Sequence, residues 1–69
     1  MPMMRAYLLI RAHRDALQMA ADCRRELLRS DLPDYDRTFA LECLTDSLAA
    51  AADYAGTLAA AGLSVEGTR

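Results

Sequence analysis

Between Met3 and Ala55 the chain holds one residue that an α-helix cannot carry in its interior, Pro33. A proline inside a helix removes a backbone hydrogen bond and clashes with the preceding turn, at about 3 kcal/mol. Leu32 is steered away from helical dihedrals by that ring, whereas Pro33 suits the first position of a following helix. On both sides of the break the good helix formers Ala, Leu, Met, Arg, Glu and Gln dominate. The sequence therefore predicts a first helix over about residues 2–30, a turn at 31–33 and a second helix over about 33–61. Asp34 and Asp36 sit in the first turn of the second helix, where carboxylates meet the positive end of its dipole. Gly62 is placed to cap that helix in a left-handed conformation, with Leu63 folding back on the cap and residues 63–69 expected to fray. So short a link makes the helices antiparallel neighbours, and residues 1–69 are expected to form a single helical-hairpin domain.

The second helix carries an apolar stripe at alternating spacings of three and four: Leu41, Leu44, Leu48, Ala51, Ala55, Leu58 and Gly62. A heptad seam of this kind needs another helix to cover it. The first helix offers Ala6, Leu9, Ile10, Ala16, Leu17, Ala20, Cys23, Leu27 and Leu28 on one face, with Arg11, Asp15, Gln18, Asp22, Arg25 and Arg29 opposite. Hydrophobic residues make up 54% of the chain, yet many are alanines, which favour helix and bury little surface. A core of that kind in 69 residues is near the lower limit for independent stability. Two helices leave apolar surface over, and pairing two hairpins would cover it. The expected fold is all-α: an antiparallel two-helix hairpin that dimerises into a four-helix bundle. Gly56, beside Ala52, Ala55 and Ala59, is expected to permit close backbone approach.

The net charge of −2 argues against nucleic-acid or membrane binding driven by total charge. Its distribution is uneven. All eight basic residues are arginine, and Arg5, Arg11, Arg14, Arg24, Arg25 and Arg29 fall in the first helix. Asp34, Asp36, Glu42, Asp46 and Asp53 make the second acidic, so the edges of a hairpin attract. An all-Arg, Ala-rich composition suits the GC-rich coding of a small bacterial or phage protein. The apolar run Tyr7–Ile10 is closed by Arg11, too short for a signal peptide or a membrane span. A cytoplasmic, reduced setting without membrane contact is expected. Cys23 and Cys43 form neither a CxxC nor a zinc spacing. With the turn near residue 32, Cys43 falls about one helical turn from Cys23, an offset that hinders a disulfide. They read as two small hydrophobes, with a redox switch as the sharper alternative.

Few residues suggest chemistry. His13, the one histidine, lies in the apolar face, and no Glu-x-x-His accompanies it, so a metal role lacks partners. It is expected to be half-buried and hydrogen-bonded across the bundle, to a symmetry mate or to Ser47. Arg24 also falls on the apolar side and is expected to pair with Glu42, because an unpaired buried charge is costly. With His13 it forms the candidate lining of a ligand pocket. Arg11, Arg14, Arg25 and Arg29 form an outer stripe that could follow a phosphate backbone, as small dimeric helical hairpins of the Rop type grip RNA, a likeness of architecture without a shared motif. Against this, Arg11 with Asp15, Asp22 with Arg25 and Glu26 with Arg29 sit at ion-pair spacing on a solvated face. No nucleophile–base set, glycine-rich phosphate loop or cofactor motif is present, so no cofactor and no metal is expected.

These observations favour a small non-enzymatic protein that binds another protein as a regulator, adaptor or inhibitor, and that pairs with itself. The expected contact residues are Leu41, Leu44, Leu48, Ala51, Ala55 and Leu58 on the seam, and Met3, Tyr7 and Ile10 at the end of the bundle. RNA binding through the Arg stripe is the second expectation. A ligand-binding or catalytic bundle around His13 and Arg24 is the third.

Overall fold

A computed structural model describes residues 3–63. Two helices, α1 (Met3–Leu27) and α2 (Asp34–Ala60), pack against each other as a hairpin. They run 25 and 27 residues, so the molecule is a rod 45 Å long and 18 by 15 Å across. No helix among the described residues is long and apolar enough to cross a membrane.

The turn is longer than the spacing of Ser30 and Pro33 suggests, because α1 stops at Leu27. Leu28 and Arg29 donate their backbone N–H groups to the carbonyls of Arg25 and Glu26, at 3.2 and 3.1 Å, which tightens the last turn and ends the helix. Leu28 is left 84% exposed. Leu32 then folds inward and is buried, closing the turn end of the hairpin. Pro33 is extended, with φ −62° and ψ 153°, and its carbonyl accepts the first bond of α2 from the Arg37 N–H at 2.9 Å. Pro33 provides no side-chain cap, so Asp34 and Asp36 are the groups that answer the dipole there.

Arg37 ties the turn together. Its guanidinium donates to the carbonyls of Leu27 at 3.2 Å and Arg29 at 3.3 Å. Carbonyls at a helix C-terminus have no partner within the helix, so a cation reaching back from α2 satisfies both the hydrogen bonds and the dipole. At the other end, Gly62 adopts φ 79°. Its N–H donates to the Ala59 carbonyl, and the Leu63 N–H donates to that of Leu58, both at 2.9 Å. This pair of bonds is a Schellman cap, which needs a residue at ease in the left-handed region. Leu63 is half-buried, as a chain folding back on the cap requires. The expected fraying of the tail beyond Leu63 concerns residues outside those described.

Between these ends the interface is narrow. The buried apolar residues are Ala20, Leu32, Ala40, Ala51 and Leu58, joined by Ser47, and Leu58 is the one large side chain fully enclosed among the described residues. The α2 positions that meet α1 are Ala40, Leu44, Ser47, Ala51, Tyr54 and Leu58, all buried or half-buried. The expected seam is therefore rotated by part of a turn. Leu44, Ala51 and Leu58 belong to it, while Leu41 and Leu48 stand on its flank, 50% and 37% exposed. Leu17 on α1, expected inside, is 44% exposed. Gly56 is exposed, and a methyl group built on it would meet nothing within 4 Å, so it permits no close approach.

Candidate functional site

Two helices side by side make a ribbon, and each broad face of this ribbon is apolar. Successive helical residues rotate by about 100°, so positions flanking the interface on α1 and α2 fall on one face or the other. The first face is a groove lined by Ala12, Ala16, Met19, Ala50 and Tyr54, with Asp15 and Asp46 at its rim. It continues toward the turn past Cys23, Phe39, Ala40 and Cys43, where Asp22 and Glu26 stand on the edge. Met19 and Phe39 are 57% and 60% exposed, which is much apolar surface to leave in water.

The second face carries the other flank: Ile10 and Leu17 from α1, with Leu41, Leu48 and Ala55 from α2. Spacing by seven in both helices (10, 17, 24 and 41, 48, 55) keeps these rows aligned along the rod, as a supercoiled contact requires. Arg24 interrupts the α1 row. It is exposed, as is Glu42, and the expected pairing between them is absent from the ion pairs of the described residues. A long side chain at the edge of an apolar face reaches water by extending past it, so Arg24 has no buried charge to neutralise.

His13 is half-buried, as expected, but the expected hydrogen bond to Ser47 is absent from those of the described residues. Neither His13 nor Arg24 lines the groove of the first face. Among the described residues no group of three or more His, Cys, Asp or Glu side chains gathers in a way that could hold a metal ion.

The two cysteines correct the sequence reading. They lie at the same level, both lining one stretch of the groove, rather than a turn apart. Cys43 is near enough to act on the Cys23 thiol both as a neighbouring charge and as a hydrogen-bond partner. Burial, then Cys43, then Asp22 push the Cys23 thiol up from its ordinary value. The misjudged level traces to the turn: the first turn of α2 projects past the end of α1, where Arg37 grips it, and this shifts the register along the whole hairpin.

The outer Arg stripe is largely answered by its own neighbours. Arg25 pairs with Asp22, which also accepts a bond from Gln18 at 3.1 Å. Arg29 pairs with Glu26 at 2.6 Å and with Asp31 at 3.2 Å. That contact, chiefly through the hydrogen bond and then through charge, holds the Asp31 carboxyl below the usual carboxylate range. Arg11 and Arg14 are exposed and enter no ion pair among the described residues, so the expected Arg11–Asp15 pair does not form. At the open end Met3, Met4 and Tyr7 form a further exposed apolar cluster.

Arg37 was not among the sequence candidates, and its carbonyl contacts are visible only once the turn is built. No family model, no characterised protein and no solved structure matches this chain. The site is thus defined by its own geometry: two apolar faces on a rod with a thin core, one rimmed by carboxylates and one interrupted by Arg24.

Proposed function

We propose that this chain is a protein-binding helical hairpin, acting without catalysis as a regulator or adaptor, and that its first partner is a second copy of itself. One observation carries the reading. Among the described residues the hairpin fully encloses one large apolar side chain, Leu58, while Leu17, Met19, Phe39, Leu41 and Leu48 stay more than a third exposed. A two-helix core of alanines gives little net stability, and small scaffolds of this size commonly gain the rest by association. The second face suits self-pairing. Its heptad rows end in Leu and Ala, and Arg24 is the one charge within them, so two copies can meet there as a four-helix bundle. The first face is rimmed by Asp15, Asp22, Glu26 and Asp46, and two such rims repel; it is left open for a different protein.

Sedimentation equilibrium of the wild-type chain and of a Leu41→Asp/Leu48→Asp variant tests this. Both substituted leucines are exposed in the hairpin, so the helices need not separate to accept the change. The expected result is a wild-type dimer at micromolar concentration and a monomeric, still helical variant. A wild-type chain that is monomeric at about a hundred times that concentration would remove self-pairing from the proposal.

A further inference from the structure

Cys23 and Cys43 come from different helices, bracket the whole turn, and open together into the groove beside Phe39 and Met19. The layers on either side of them are small: Ala20 and Ser47 toward the open end, and Ala40 toward the turn, all buried. Small residues in these layers let the two backbones approach closely. That is the condition under which cysteines on neighbouring helices fall within the roughly 7 Å between Cα atoms that a disulfide spans. Both thiols are free, and both are half-exposed, so a small reagent can reach them.

We propose that Cys23 and Cys43 form a reversible intramolecular disulfide that locks the hairpin, with a low-molecular-weight disulfide as the oxidant. The chemistry is thiol–disulfide exchange. One cysteine thiolate attacks a sulfur of the small disulfide, forms a mixed disulfide and expels one small thiolate. The second cysteine thiolate then attacks the protein sulfur of that mixed disulfide, forms the Cys23–Cys43 bond and expels the second small thiolate. The two protons lost by the cysteines are taken up by the two small thiolates, so the protein loses two electrons and two protons and the oxidant gains them. The bond ties α1 to α2 just above the turn. In the reduced chain the thin interface leaves the helices free to part, whereas in the oxidised chain they stay together. Cys23 and Cys43 then act as a latch that decides whether the apolar faces remain those of a hairpin. The latch stands independently of the proposed self-pairing, since both cysteines belong to one chain.

The test is incubation of the reduced full-length chain with oxidised glutathione at mildly alkaline pH, read by intact mass and by free-thiol titration. The expected product is a single chain, not covalently linked to a second copy, lighter by two hydrogens, with no free thiol and a higher urea midpoint. It should form about tenfold faster in buffer than in urea, because folding already places the thiols together. Cys23→Ser and Cys43→Ser should each stop at the glutathione mixed disulfide and show no rise in midpoint. Stable mixed disulfides on the wild-type chain, disulfide-linked dimers, or a rate no faster than in urea would each overturn the proposal.

Discussion

Gly56 and Gly62 lie within two turns of each other and should respond in opposite ways to the same substitution. Gly56 is exposed in the interior of α2 with open space around it, so Gly56→Ala should raise stability by about 0.8 kcal/mol through the lower helix propensity of glycine. Gly62 has φ 79°, which an alanine reaches only with strain, so Gly62→Ala should lower stability by about 1 kcal/mol. Urea midpoints of the two variants, measured at one protein concentration, give both signs. Arg37→Ala should cost about 1 kcal/mol by releasing the Leu27 and Arg29 carbonyls, and Arg37→Lys should recover only part of it, because an ammonium lacks the fork that serves both acceptors. Cys23 adds a pH dependence. Its thiol titrates above its ordinary value of 9.0 in the folded chain, so the fold favours the protonated form. That contribution is complete below the unfolded value and is lost as pH rises through the raised one. Unfolding followed upward from neutral pH should therefore fall more steeply for the wild-type chain than for Cys23→Ser. Equal slopes would show that burial and Cys43 do not hold the proton.

At the scale of the helix, the rotation of α2 decides which leucines matter. Leu58 is fully enclosed, and Leu58→Ala should cost 2–5 kcal/mol, roughly the whole stability of so small a hairpin. Leu41→Ala, at a half-exposed position, should leave the monomer within about 0.5 kcal/mol of wild type. Circular dichroism at increasing urea, on samples dilute enough to be monomeric, separates the two. Both helices and their packing as a hairpin were legible in the sequence, because one proline, the first-turn carboxylates Asp34 and Asp36 and the cap at Gly62 divide the chain in two. The rotation was not. Leu44, Ala51 and Leu58 recur every seven residues, and the intervening contact can be made by Leu41, Leu48 and Ala55 or, one position earlier, by Ala40, Ser47 and Tyr54. Hydrophobicity favours the leucine set, yet the tight packing of α1 is served by small side chains, so Ala40 and Ser47 are buried instead. The level of the cysteines was hidden for a related reason. Register depends on how many residues the turn consumes, and α1 ends three residues sooner than its composition implies, through the bonds from Leu28 and Arg29 and the reach of Arg37.

For the whole molecule, charge and apolar surface point to different partners. Arg25 and Arg29 are engaged by Asp22, Glu26 and Asp31, which leaves Arg11 and Arg14 as the cations of the stripe without an ion pair among the described residues. Two such charges on a chain of net charge −2 give little electrostatic hold on a phosphate backbone. Apolar surface is the larger unspent term, and it makes stability a function of concentration. If two copies pair through Ile10, Leu17, Leu41 and Leu48, the dimer binds the folded chain and not the unfolded one, so the melting temperature must rise with protein concentration. A chain whose stability is held within one hairpin melts at the same temperature at every concentration. The wild-type melting temperature should therefore climb several degrees across a hundredfold range of concentration, by the mass-action relation that links binding to stability. Leu41→Asp/Leu48→Asp should flatten that dependence and melt at the dilute wild-type value. A flat wild-type curve would mean that the second face is spent on no copy of this chain, and both faces would then await a different protein.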